Sequence, residues 1–86
     1  MAHFKAEREV AHPRHHRGNF RLCLQWGKLV LNDGSIELGY RFIWRRPDNS
    51  IQSRPANIPS LADVDALVAL ARQQGWAENQ GTEISN

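Results

Sequence analysis

The chain has a single cysteine, Cys23, so no internal disulfide framework can hold it together. No apolar run reaches membrane-spanning length, and the first residues lack a signal-peptide hydrophobic region, so a cytoplasmic location without membrane contact is expected. There is no GxxxxGK[ST] loop, no GxGxxG after a strand, no HExxH and no CxxC. All four histidines (His3, His12, His15 and His16) precede Gly18, so no serine or cysteine has a legible histidine partner. Asp63 and Asp65 stand two apart on an expected helix and point away from each other, so they cannot work as a paired acid and base. Asp33 and Asp48 read first as turn residues, and Cys23, in mid-strand, as a packed thiol. No enzyme is expected, and no catalytic residue, cofactor or metal site is assigned. His12 with His15 or His16 would be the nearest metal set. It has no carboxylate or cysteine at matching spacing and no frame to fix its geometry, so a solvated basic arm is the simpler reading.

What is present centres on residues 19–46, which read as one long β-hairpin. Asp33-Gly34 between two alternating apolar runs signals a two-residue type I′ turn, in which both central residues take positive φ. That turn sets Leu31 against Ile36 and Leu29 against Leu38. Phe20, Leu22, Leu24 and Trp26 then fall out of phase with Leu29 and Leu31, whereas Ile36, Leu38, Tyr40, Phe42 and Trp44 never break step. One extra residue, a β-bulge at Gly27-Lys28, restores the phase. Trp26 then opposes Tyr40, Leu24 opposes Phe42 and Leu22 opposes Trp44. The large apolar groups share one face; Arg21, Cys23, Gln25, Glu37, Gly39, Arg41, Ile43 and Arg45 share the other. A break at Gly27 into two short strands is the alternative.

Residues 1–18 read as a basic, His-rich arm, in which 4–10 forms either a helical turn or two or a short edge strand. After the hairpin, Pro47-Asp48-Asn49-Ser50 is a second turn, and 51–54 a short edge strand ended by Pro55. The long strand 36–45 would then be central. Ser60 is an N-cap and Asp63 its capping-box partner. Leu61, Val64, Leu67, Val68 and Ala71 form one apolar stripe on a helix over 61–74, with Leu70 off the stripe. Gly75 and Trp76 suit a Schellman ending. The expected fold is α+β: a three-stranded antiparallel sheet, made of a long bulged hairpin and a short edge strand, packed on one face by a C-terminal helix. Residues 19–76 form the domain and 77–86 a polar tail.

A helix of that length covers about 21 Å, against about 33 Å of strand, so part of the apolar face needs another cover. The first functional expectation is a non-enzymatic interaction module that self-associates as a homodimer through the uncovered aromatic end, Phe20, Phe42 and Trp44. The second is nucleic-acid binding. The net charge is only +2, but from Ser60 onward Arg72 faces Asp63, Asp65, Glu78 and Glu83, so the sheet half is basic. Arg21, Arg41 and Arg45 on the polar face, with Arg46 and Arg54 nearby and the basic arm, would meet phosphates and guanine edges. Three antiparallel strands backed by one C-terminal helix are similar in architecture to plant AP2-type DNA-binding domains, which lay the polar sheet face in the major groove; no motif of that family is matched. A small-ligand site near Trp26, Tyr40 and Trp44 is a third option, although aromatics at strand spacing read first as core.

Overall fold

A computed structural model describes residues 2–52 and 55–76. Three antiparallel strands make one open sheet in the order β1 (His3–Ala11), β2 (Arg21–Val30), β3 (Ile36–Arg45), and one helix, α1 (Leu61–Gln73), packs on one face. The α+β class and the order of three strands then a helix are as expected; the identity of the strands is not. Within the segment expected as an arm, the edge-strand alternative for 4–10 is the one that holds, and it is longer than expected: β1 spans His3–Ala11. Residue Ile51 makes only an isolated bridge to Arg45, and Arg54 lies outside the described residues, as does the expected polar tail 77–86. β2, not β3, is therefore central. The reason lies in β2 itself: Leu22, Cys23, Leu24, Gln25 and Trp26 are all buried, so this strand needs partners on both edges and cover on both faces. β3 carries Glu37, Arg41 and Arg45 and can stand at an edge.

The hairpin register is unbroken from Arg21 opposite Arg45 to Val30 opposite Ile36. Trp26 opposes Tyr40, Leu24 opposes Phe42 and Leu22 opposes Trp44, as expected. The bulge at Gly27-Lys28 is absent, and Leu29 faces Glu37 rather than Leu38. The extra residue sits in the turn instead. Leu31 donates its N–H to Ser35 O, Gly34 donates to Leu31 O, and Gly34 has φ +87°. The loop is thus the three residues Asn32-Asp33-Gly34, a type I turn followed by a left-handed glycine. Asp33 Oδ1 accepts from both the backbone N–H and the hydroxyl of Ser35, at 2.8 and 2.6 Å.

A bulge does exist, but in β1, between Ala6 and Arg8 and beside Gly27. It reverses the phase of β1, so Phe4 and Val10 point to opposite faces although both numbers are even. Gly27 is glycine because a Cβ there would run into Lys5 O and Ala6 Cα on the bulged strand.

The core is Val10, Leu22, Leu24, Trp26 and Trp44 from the sheet, with Leu67, Ala71 and Trp76 from the helical segment. α1 begins at the expected cap: Ser60 Oγ accepts from Asp63 N–H and donates to Asp63 Oδ2. It ends as expected, with Gly75 at φ +83°, Gly75 N–H on Arg72 O and Trp76 N–H on Ala71 O. Two stripe assignments reverse. Leu61, in the first turn, is 81% exposed, and Leu70 packs against the core.

The segment joining β1 to β2 is pinned to the helix rather than solvated. His12 is buried; its Nδ1 accepts from Arg14 N–H at 3.1 Å, so Nε2 carries the proton and donates to Asp63 Oδ1 at 2.9 Å. His16 meets the Trp44 ring edge-on at 5.0 Å between centroids.

Candidate functional site

Three regions carry the residues that sequence singled out. The first is the polar sheet face. Glu9 of β1 lies across β2 from Arg45 of β3 and takes it in a two-pronged pair, Nε to Oε2 at 2.7 Å and an Nη to Oε1 at 2.6 Å. Gln25 Nε2 donates to Glu9 Oε1 at 2.7 Å, and Gln25 Oε1 accepts from Arg41 Nε at 2.8 Å. The Arg41 guanidinium then lies 4.3 Å from the Phe4 ring centroid. One ladder therefore ties the three strands together and roofs Gln25 and Cys23. The Arg45 hydrogen bond holds the Glu9 carboxyl below its usual range against the opposing effect of burial, and the same bond raises Arg45. Burial lowers Arg41, with Glu9 opposing. Burial first, then the Glu9 charge, pushes the Cys23 thiol up to about 12, which leaves it a poor nucleophile at neutral pH. Glu9, Gln25 and Phe4 had no sequence signal for this role: Glu9 and Arg45 meet only because β1 joins the sheet.

The second region is a polar hollow of about 220 Å³ at the end of that face, where Arg21, Arg45, Arg46 and His15 converge. Arg45 also donates to Asn49 O, and Arg46 to Ile51 O and Ser50 Oγ. Arg21 lies half-buried, with an Nη 3.5 Å from His15 Nδ1; its Nε is buried and has no hydrogen-bond partner among the described residues. Of the arginines expected to meet nucleic acid, Arg41 and Arg45 are thus held inside the sheet face, Arg21 and Arg46 border the hollow, and Arg54 lies outside the described residues.

The third region is the apolar side of β3. α1 lies over β1 and β2, which leaves an open groove of about 300 Å³ between Val64, Val68 and Trp76 on one bank and Leu24, Tyr40 and Phe42 on the other. Tyr40 stacks on Trp76 at 6.2 Å between centroids. The end expected to be uncovered is closed: Trp44 is buried, with Nε1 donating to Asn57 O at 3.1 Å, and Phe20 and Phe42 are half-buried against the core. Exposure is instead at the hairpin tip, where Ile36 is 56% exposed.

The two sheet edges differ. β1 is bulged and carries Lys5, Glu7, Arg8 and Glu9 in or next to the bulge, the usual guards against edge-to-edge pairing. β3 has no bulge and no proline along its ten residues. Its far end is closed by Gln52 N–H on Trp44 O and Arg46 N–H on Ser50 O; toward Ile36 no further strand lies beside it among the described residues.

Among the described residues no group of three His, Cys, Asp or Glu is placed to hold a metal ion, and no helix is long and apolar enough to cross a membrane. Comparison with protein-family models, with curated proteins and with solved structures finds no match to this chain.

Proposed function

We propose that this chain is a small cytoplasmic, non-enzymatic interaction module whose first partner is a second copy of itself, joined through β3. The observation that carries this reading is the contrast between the bulged β1 edge and the β3 edge, which has neither bulge nor proline and is guarded only by its charged side chains, with Ile36 exposed at its start. β3 is also self-complementary. An antiparallel copy placed with Gly39 on the two-fold axis sets the Glu37 position opposite the partner's Arg41 position and the reverse; the ion pair forms where Arg41 turns from Gln25 and Phe4 toward the partner. On the other face it sets Ile36 against the partner's Phe42 and Leu38 against the partner's Tyr40. Opposite charges and apolar pairs directly across strands both stabilise the join. Glu37 is exposed, and a Cβ at Gly39 would meet nothing, so the axis position is open.

Sedimentation equilibrium from about 1 to 100 μM, a range that spans typical weak and standard interfaces, tests the reading. A monomer–dimer equilibrium is expected, weakened roughly tenfold by Glu37→Arg, which sets like charges opposite each other at two places. A monomer throughout would remove the reading; a dimer indifferent to Glu37→Arg would move it off β3.

Nucleic-acid binding stays as the second reading, supported by Arg21 and Arg46 at the polar hollow. A mobility shift at low salt that disappears in Arg21→Ala plus Arg46→Ala is its expected signature, and no shift at low salt would discard it.

A further inference from the structure

We propose that the polar hollow binds the terminal phosphate of a small phosphate monoester, with Arg21 as its principal contact. This site is separate from the β3 edge and stands or falls without it.

The first observation is electrostatic. Arg21 and Arg45 are directly opposed across β2 and β3, a like-charge pair that weakens a sheet unless something neutralises it. Glu9 supplies one carboxylate, and both of its oxygens go to Arg45. Arg21 is left uncompensated, with Arg46 on the same hollow. Asp48, held low first by its Ser50 hydrogen bonds, stands close enough to Arg46 for the Arg46 charge to help hold its carboxyl low, so Arg21 is the guanidinium left without a carboxylate. A phosphate monoester, at about −1.5 to −2 at neutral pH, answers Arg21 and draws on Arg46 as well; a carboxylate or a phosphodiester has one negative charge to share between them.

The second observation is an orphan donor. Arg21 Nε is buried without a hydrogen-bond partner among the described residues, although a buried guanidinium N–H is costly to leave unmade. A phosphate drawn into the hollow offers the Arg21 guanidinium an acceptor once the side chain turns toward it, and guanidinium forks take phosphate oxygens two at a time.

The third observation is the shape of the rim. Asn19 and Asn49 are the non-glycine residues of positive φ in the described chain, at +62° and +73°, and both line this hollow. Asparagine takes this conformation readily, and these two set the turns that bound the hollow. A volume of about 220 Å³ has room for a tetrahedral oxyanion and several waters, each water taking about 30 Å³.

The experiment is a titration of the full chain at low, constant chloride, read by the ¹⁵N–¹H resonance of Arg21 Nε and by calorimetry. Three probes are used: inorganic phosphate, a nucleoside 5′-monophosphate, and an oligonucleotide of the same base without terminal phosphates. Phosphate and the monophosphate are expected to shift Arg21 Nε saturably. Arg21→Ala is expected to weaken both by at least tenfold, and Arg46→Ala, at an exposed position, by a smaller factor while circular dichroism stays native. The terminally unphosphorylated oligonucleotide is expected to bind more weakly than the monophosphate. No saturable shift with either monoester-type probe at about 10 mM overturns the site. Undiminished binding in both variants overturns its location. Tighter binding of the oligonucleotide overturns the choice of monoester and assigns the hollow to a nucleic-acid backbone instead.

Discussion

Glu9 shows how much one side chain can organise. Its two oxygens hold Arg45 and Gln25, and through Gln25 they reach Arg41. The group is charged in that role, and its carboxyl is held below the usual value of 4.5, chiefly by the Arg45 hydrogen bond. A carboxyl with a depressed folded-state pKa adds stability that is complete above its unfolded pKa and is lost as pH falls through the folded one. The contribution of Glu9 is therefore full at pH 7 and fades below about 4.5. Urea midpoints of the wild type and of Glu9→Gln should differ most at neutral pH and draw together as pH falls below about 4.5 and through the depressed folded value. Asp33 and Asp48 are also held low, by Ser35 and Ser50, but they titrate in both proteins and drop out of the difference. A gap that does not begin to narrow as pH falls below about 4.5 would show that charge on Glu9 is not what stabilises the ladder. His12 is the other residue whose placement changes the picture. Buried between Arg14 and Asp63, it ties the β1–β2 connection to the first turn of α1, so the helix cap and the sheet share one carboxylate.

At the level of elements, the bulge in β1 and the glycine in β2 are one device. Gly27 lets the bulged backbone of β1 approach so closely that any side chain would strike Lys5 O, a backbone atom that cannot swing away. Gly27→Ala should therefore cost about 1–3 kcal/mol, the range for overpacking. Gly39→Ala, directly opposite Gly27 on β3 but with nothing near its Cβ, should stay within about 0.5 kcal/mol. Equal midpoints for the two variants in urea would contradict the close approach. Much of the element layout was legible in the chain. The pairs Trp26–Tyr40, Leu24–Phe42 and Leu22–Trp44, the Ser60 cap and the Gly75–Trp76 ending follow from local rules that the fold obeys. Two features escaped for physical reasons. Asp33-Gly34 serves a two-residue or a three-residue loop equally well, since either places glycine at positive φ; the choice is made by β2 staying in straight register, which local sequence does not encode. For β1 an edge strand over 4–10 was one of two open alternatives, and the choice escaped because its bulge breaks the alternation that marks a strand and its partner is set by tertiary contact. The usable hint lay in β2, where 22–26 has no charge on either face, the pattern of a strand paired on both sides. The ladder of the candidate site was hidden with β1, whereas the arginines around the hollow were visible one by one but not as a cluster.

For the molecule as a whole, the consequence is a thiol that reports on opening. Cys23 has no exposed surface. It sits in the central strand between Ala11 and Ile43, on the face roofed by Glu9 and its partners. Two barriers guard it together: reagent cannot reach the sulfur, and the thiolate is disfavoured because the thiol's pKa stands near 12. Neither barrier falls without loosening β1 or unfolding the domain, because the Glu9 carboxylate that both covers and repels the thiolate belongs to β1. Labelling by a disulfide reagent at pH 8 should therefore run at a small fraction of the rate in urea. Its dependence on low denaturant separates two outcomes. A rate that rises steeply, with the slope of global unfolding, means that β1 leaves only when the whole domain opens. A rate nearly flat in denaturant means that β1 detaches as a local unit, and Glu9→Gln should then speed labelling more than it lowers the urea midpoint. Immediate labelling in the native protein would contradict the placement of β1 over Cys23, and with it the central position of β2.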